Sequence, residues 1–235
     1  RRCFGPAGVR ADVPLLCFVG RIASQKGVHL LLDVLPALLF GGGELENCQL
    51  LVCGQADPRD AYAQRCAGQM RALRAAYPLQ FWAQPDRFFA EGALASLGAD
   101  FGLMPSLFEP CGLVREEFFS AGTPLVCSRT GGLADRVVHY SEATRAGNGV
   151  FFEEHTHQSV LAALGRALRL ARRPEHHAAL RRNARAAACD VAHTAWRWRG
   201  ELLRLRACLV LRQVDRSSLH AEDAEEPRTP AALPP

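Results

Sequence analysis

Short apolar runs alternate along this chain with longer segments of helical periodicity, and this alternation limits the folds it can adopt. Six runs of strand length are bounded mainly by Gly, Pro or Ser. They are Leu15–Gly20, Gln49–Gly54, Leu79–Ala83, Asp100–Met104, Pro124–Ser128 and Gly149–Phe152. Such short, continuously apolar runs are typical of strands buried on both faces of a parallel sheet.

Candidate helices separate these runs. They are Val28–Leu39, Pro58–Ala76, Asp86–Leu97, Leu113–Ala121 and Leu133–Tyr140. The regular alternation predicts an α/β fold with a doubly wound parallel sheet and right-handed crossovers. After Phe152 the pattern predicts C-terminal helices only, with Thr156 as N-cap of Val160–Arg172, a second helix starting near Pro174, and a third at His193–Arg212.

Composition narrows the class of protein. With 235 residues and 49% hydrophobic content, the chain can bury one substantial core. No apolar run is long enough to cross a bilayer, so no membrane partner is expected. The arginines between Arg166 and Arg206 are interleaved with Leu and Ala at helical spacing. That spacing indicates the solvated side of amphipathic helices rather than a nucleic-acid surface. The nine cysteines show no metal-ligand spacing and are expected to be reduced thiols, without a bound metal.

The composition also suggests domain boundaries. Residues 1–12 are interpreted as an incomplete N-terminal segment and residues 13–214 as one domain. From Asp215 the chain loses apolar residues and gains Pro and acidic residues. Residues 215–235 are therefore expected to form a disordered tail.

Three loops that follow strands carry the candidate chemistry, because ligands bind beyond the carboxyl ends of strands in a doubly wound sheet. The first is GRIASQKG, Gly20–Gly27. Arg21 and Lys26 place two cations in it, ahead of a helix N-terminus, which suits a diphosphate. Lys26 is the one lysine among 28 basic residues. Its compact ammonium therefore suggests a specific role.

The other two loops add an acid and a glycine pair. In PSLFEPCGLVREE, Pro105–Glu117, the carboxylate of Glu109 lies in a proline-stiffened turn, with Glu117 on the helix that follows. In SRTGGLADR, Ser128–Arg136, the glycines precede a helix, so their backbone N–H groups could face an anion. Cations for a diphosphate and acids for sugar hydroxyls together describe a nucleotide-sugar pocket.

The residues of these three loops give the chain a resemblance to a known family. GRIASQKG, MPSLFEPCGLVREEFFSAGTPLV and TGGLADRV are similar, in order and spacing, to the C-terminal nucleotide-binding domain of starch and bacterial glycogen synthases. The resemblance runs from about Val13 to Cys208. It implies the C-terminal, Rossmann-like half of a two-domain GT-B glycosyltransferase. The implied reaction is retaining transfer of glucose from ADP-glucose to an α-1,4-glucan acceptor, without a metal or other cofactor.

The resemblance also implies roles for individual residues. Arg21 and Lys26 would contact the diphosphate, and Glu109 would hold the transferring glucose. The backbone amides of Cys111, Gly112 and Leu113 would lie near the glucose. Thr130 and Gly131 would lie near the phosphates. The helix around Trp196 and Trp198 looks like the family's last helix, which packs back across the domain interface.

Two departures from the family pattern leave alternatives open. Glu117 stands where typical members carry tyrosine, whereas the wider GT-B superfamily has a ribose-binding glutamate there. UDP-glucose is therefore an alternative donor. The family's N-terminal domain, with its KxGGL loop, is absent from this sequence. The chain is thus expected to be one half of a synthase that needs its partner domain, or else a non-catalytic nucleotide- or glucan-binding module. A plastid location follows if the product is plant or algal starch, and a cytoplasmic one otherwise.

Overall fold

The computed structural model describes residues 3–4, 8–40, 48–189 and 191–222, without the side chains of residues 40, 193 and 213–222. Its strands confirm all six predicted runs, each within two residues. They are β1 Leu15–Val19, β2 Gln49–Cys53, β3 Phe81–Ala83, β4 Phe101–Met104, β5 Leu125–Ser128 and β6 Gly149–Phe152. Almost every strand residue is buried, as continuous apolar runs predict for a covered sheet.

The six strands form one parallel sheet in the order β3-β2-β1-β4-β5-β6. The prediction of a doubly wound α/β fold is therefore confirmed. β1 pairs with β2 on one side and with β4 on the other, where Leu16 lies opposite Phe101 and Cys17 opposite Gly102. The chain thus changes its direction of winding between β1 and β4. Loops leaving these two strands open a crevice at the carboxyl edge, which is where such folds bind ligands.

Eight α-helices connect and flank the strands in the described part of the chain. They are α1 Val28–Phe40, α2 Ala61–Ala76, α3 Gly92–Gly98, α4 Leu113–Ser120, α5 Gly131–Arg136, α6 His157–Ala171, α7 Pro174–Ala187 and α8 Val191–Glu222. Thr156 caps α6 as predicted, because its hydroxyl accepts from the Ser159 N–H at 3.2 Å.

Three helix predictions were wrong in extent by four or more residues, those of α3, α5 and α8, and α8 runs to Glu222 instead of Arg212. α3 begins six residues later than expected, since residues 86–91 form turns ahead of it. α5 ends at Arg136 rather than Tyr140 because Val137 is extended and the chain then runs beside β6. There the Tyr140 N–H donates to the Gly149 carbonyl at 2.8 Å. A tertiary hydrogen bond outweighs the local helical pattern at this point.

The sheet has an apolar core on each face. On β1, Leu16 and Phe18 point to the face covered by α1, α2 and α6, whereas Leu15 and Cys17 point to the face covered by α3, α4 and α7. All nine cysteines lie in described residues, and each is a free thiol. Burial raises the pKa of Cys48 to about 12, so this thiol stays protonated at neutral pH.

The chain divides into two compact units, residues 1–188 and residues 189–235. Trp196 and Trp198 lie on α8, in the second unit. This helix continues to Glu222, eight residues into the expected disordered tail, and residues 223–235 lie outside the described part. The segment 215–222 contains no Pro or Gly that would end a helix. None of the described helices has the length and apolar character needed to span a bilayer.

Candidate functional site

The loops after β1 and β4 meet at the point where the strand order reverses. After β1 the chain forms a short 3₁₀ turn, Ser24–Lys26, and Gly27 then leads into α1. After β4 it forms the turn that carries Glu109 and enters α4. The two loops are hydrogen-bonded to each other, since the Leu107 N–H donates to the Gln25 carbonyl at 2.8 Å.

Lys26 and Glu109 form a buried ion pair between these loops. The Nζ atom of Lys26 lies 2.6 Å from Oε2 of Glu109, and the two side chains are 14% and 6% exposed. The same carboxylate oxygen accepts a second hydrogen bond, at 2.9 Å, from the hydroxyl of the buried Ser106. Because burying a charge costs free energy unless it is paired, these contacts hold both charged groups at fixed positions.

Two glycines allow the loops to approach so closely. Gly27 and Gly131 both have positive φ, +62° and +43°. A Cβ atom at Gly27 would collide with the carbonyl oxygen of Pro105, and one at Gly131 would collide with that of Glu109. The neighbouring Gly132 N–H donates to the Glu109 carbonyl at 2.8 Å, so this amide binds the turn that carries Glu109 rather than an anion. The glycines of QKG and TGG thus position the acid-bearing turn.

A cavity of about 940 Å³ opens at the same edge of the sheet and is lined by the start of the loop after β1, but by neither Lys26 nor Glu109. Arg21 and Glu117 both line it, so the structure brings together a cation after β1 and an acid on α4 that are far apart in sequence. Glu117 lines this cavity with an exposed side chain. The volume lies within the range of small-molecule pockets.

The other predicted residues lie around the Glu109 turn. Gly112 has φ +75° and is the N-cap of α4, and Leu113 begins that helix with 70% of its surface exposed. Cys111 is exposed, and its carbonyl oxygen lies against Gly132. Thr130 is the N-cap of α5. None of these residues lines the large cavity, so they form a separate group around Glu109.

Sequence reasoning missed two walls of the cavity. Gln55–Asp60, after β2, and Phe88–Phe89, after β3, line it together with Glu117. Their position directly after two predicted strands was an available signal. Phe88 is 77% exposed at the cavity, which is unusual for a large apolar side chain. In the described part of the chain, no group of three or more His, Cys, Asp or Glu side chains is placed to hold a metal ion.

The strand order and the crevice at its reversal define this chain as a Rossmann-like α/β domain, a fold in which ligands bind at the topological switch point. Comparison with known proteins specifies the family. The model of the glycosyl transferases group 1 family matches residues 4–187, more than half of the chain. The chain belongs to that family.

Curated relatives agree with this assignment. The chain is 40% identical over 165 residues to a glycogen synthase of Syntrophotalea carbinolica. The aligned region covers 70% of this chain and 32% of the relative. It is 37% identical over 176 residues to a glycogen synthase of Aeromonas salmonicida, covering 74% of this chain and 34% of the relative. The chain therefore spans about a third of the length of these relatives.

Solved structures show the same fold. The catalytic domain of starch synthase IV from Arabidopsis thaliana, bound to ADP and acarbose, superimposes with a TM-score of 0.66 at 23% identity. It covers 85% of this chain and 39% of that one. HepE from Anabaena in complex with UDP gives a TM-score of 0.64 at 21% identity, covering 83% of this chain and 50% of that one. Both confirm the GT-B type of α/β domain.

Proposed function

We propose that this chain is the nucleotide-sugar-binding half of a glucan synthase, which transfers glucose from ADP-glucose to an α-1,4-glucan with retention of configuration. The Lys26–Glu109 pair carries the proposal. A nucleotide sugar has its diphosphate and its sugar hydroxyls on either side of the bond that breaks. A cation and a carboxylate held 2.6 Å apart suit that junction.

The cavity supplies room for the rest of the donor. Arg21 and Lys26 would contact the diphosphate and stabilise the charge that develops on it as the bond to glucose breaks. Glu117 would accept from the ribose hydroxyls, and the exposed ring of Phe88 would stack on the base. Glu109 would hold the glucose. The relatives named as glycogen synthases support a glucan as acceptor, and the starch synthase structure bound to ADP supports ADP as the nucleotide of the donor.

A second domain is part of the proposal. The relatives extend well beyond the matched region, and enzymes of this architecture close two domains over the donor to position the reacting groups and exclude water. The acceptor glucan would bind between the domains. The chain by itself is expected to bind nucleotide and to turn over little or none.

UDP-glucose is the alternative donor, and two observations favour keeping it. Glu117 faces the cavity in place of the tyrosine expected of typical synthases, and HepE, with its UDP complex, shares the fold. The glycogen synthases of Syntrophotalea and Aeromonas are bacterial proteins, so the alternative of a plastid location gains no support from them. The compartment remains a prediction.

Calorimetric titration of the purified chain with ADP and with UDP tests the donor assignment. Saturable binding with preference for ADP is expected. Preference for UDP would replace ADP-glucose with the alternative donor. Binding of neither would contradict a preformed donor half-site. Phe88→Ala is expected to weaken ADP binding by about 1 to 3 kcal/mol through lost stacking. The matched control is Leu94→Ala, an exposed apolar residue that does not line the cavity.

Joining the chain to the N-terminal domain of a glycogen synthase tests the reaction. Glucan synthesis from ADP-glucose is expected to appear and to be lost in Glu109→Ala. Retained synthesis in that variant would remove Glu109 from the mechanism. ADP binding without any synthesis in the fusion would instead favour a non-catalytic nucleotide-binding module.

A further inference from the structure

The carbonyl oxygen of Ser106 receives two hydrogen bonds from outside its own loop. The hydroxyl of Ser128, the last residue of β5, donates to it at 2.5 Å. The Nε2 atom of His155, in the connection between β6 and α6, lies 3.1 Å away. Because a carbonyl oxygen only accepts, His155 carries its proton on Nε2 in this contact. Two elements remote in sequence therefore converge on one backbone atom.

Ser106 transmits this restraint to the ion pair. Its backbone is held by Ser128 and His155, while its hydroxyl donates to Oε2 of Glu109 at 2.9 Å. That oxygen is the one bound by Lys26. Ser106, Ser128 and Glu109 are each at most 5% exposed, so water does not replace these contacts when one is lost. The orientation of the Glu109 carboxylate depends on a chain of buried hydrogen bonds that reaches β5.

The hydroxyl of Ser128 has no evident purpose in packing. The three preceding residues of β5, Leu125–Cys127, are apolar and buried, and Ser128 itself has no exposed surface. An apolar side chain there would avoid the cost of burying a hydroxyl, which is recovered only by a hydrogen bond. The partner found by this hydroxyl is the turn that carries Glu109.

We propose that Ser128, assisted by His155, is a positioning residue for the Lys26–Glu109 pair. It acts through the Ser106 carbonyl to hold the turn, and so holds the carboxylate against the ammonium without itself touching the donor. The functional meaning of this role rests on the proposed nucleotide-sugar site, but the geometric claim does not. Removing the Ser128 hydroxyl leaves the Ser106 carbonyl with the His155 contact alone and loosens the ion pair.

The single lysine of the chain makes this directly measurable. Protein labelled with ¹³C and ¹⁵N only in lysine gives one set of side-chain NMR signals, from Lys26, in the ligand-free chain. Ser128→Ala is expected to move the Cε and Nζ signals toward those of a solvated lysine. Ser106→Ala is expected to move them in the same direction, and His155→Ala in that direction by a smaller amount.

Thr123→Val is the matched control. Thr123 is also fully buried, and its hydroxyl donates to backbone carbonyls, those of Ser96 at 2.7 Å and Ala99 at 3.3 Å. It contacts neither Ser106 nor Glu109 in these bonds. The control is expected to lose stability comparably with Ser128→Ala while the Lys26 signals stay in place. A purely structural role for Ser128 predicts the same unmoved signals for both variants.

Three outcomes overturn the proposal. Lys26 signals that are unchanged in Ser128→Ala but moved in Ser106→Ala would show that the β5 hydroxyl does not position the pair. Equal movement in Thr123→Val would show a general loosening of the fold. If Ser128→Ala fails to fold, the exposed His155→Ala variant replaces it, and unmoved signals there count against the proposal. These outcomes are distinct from a failure of the proposed function. If the donor assignment is wrong, the unaltered chain does not bind ADP, whatever the Lys26 signals show in the variants.

Discussion

Lys26 and Glu109, 83 residues apart in the chain, are joined by a 2.6 Å ion pair across the reversal point of the sheet. Lys26 follows β1 and Glu109 follows β4, and these strands are neighbours in the sheet. A cation and a carboxylate are thereby held together, largely out of solvent, at the same sheet edge as the cavity lined by Arg21 and Glu117. The pair is both a structural element of the crevice and the proposed contact with the donor.

The ion pair is expected to stabilise the fold through mutual compensation of two buried charges. Lys26→Met or Glu109→Gln alone should lower the free energy of unfolding by about 3 to 5 kcal/mol, because each leaves a buried group without its partner. The double variant should lower the free energy of unfolding by clearly less than the sum of the two single-variant effects. Urea denaturation of all four proteins measures the coupling.

Arg71 and Asp86 provide the reference for that cycle. Their ion pair is exposed, with side chains 51% and 62% accessible, so solvent screens it and its coupling should be small. A Lys26–Glu109 coupling no larger than the one measured for Arg71 and Asp86 would contradict the assignment of a buried, mutually dependent pair.

Nucleotide binding should depend on Lys26 far more than on the residue beside it. Lys26→Ala removes a charge-assisted contact worth about 1.5 to 3 kcal/mol, so the Kd for ADP should rise by roughly 10- to 150-fold. Gln25→Ala is the control in the same loop, where the side chain donates to the Phe108 carbonyl at 2.9 Å. Titration calorimetry measures both variants, and equal effects would remove Lys26 from the phosphate site.

The positive φ of Gly131 should make this position intolerant of a side chain. Gly131→Ala places a Cβ against the carbonyl of Glu109 and strains the backbone, so it should lower both the free energy of unfolding and the affinity for ADP. Gly68→Ala is the control. Gly68 lies within α2 with open space around its Cα, and alanine there should stabilise the helix by about 0.5 to 1 kcal/mol. Urea denaturation distinguishes the two.

Stability should fall at mildly acidic pH because of His177. Burial lowers the pKa of His177 below its ordinary value of 6.5, an effect that Arg181 adds to and the nearby Asp100 opposes. The unfolded chain then binds a proton that the folded chain does not. This contribution to stability is complete above pH 6.5 and is lost as the pH falls from there toward the lower, folded pKa.

His177→Gln should flatten that dependence. The free energy of unfolding, measured at several pH values below 6.5, should fall less steeply with decreasing pH in the variant than in the unaltered chain. Some slope should remain, since burial also lowers the pKa values of His29 and His139. Identical slopes in the two proteins would show that His177 does not titrate as its burial implies.

The strands and the main site loops could be predicted from sequence because their signals are local. A strand buried on both faces needs a continuous apolar run, and each of β1 to β6 has one. Helix ends were harder where tertiary contacts intervene. α5 stops at Arg136 because the next residues pair with β6, which no pattern within the helix reveals.

What the sequence by itself determined was the parallel α/β class and the candidate groups Arg21, Lys26, Glu109 and Glu117. The tertiary structure alone decided their relations. Strand order places β1 beside β4, and so Lys26 against Glu109; it also brings Ser128 to the carbonyl of Ser106. Periodicity and turn chemistry act over a few residues, whereas strand order results from packing between distant segments. For that reason the pair and its supporting hydroxyl became visible only in the folded chain.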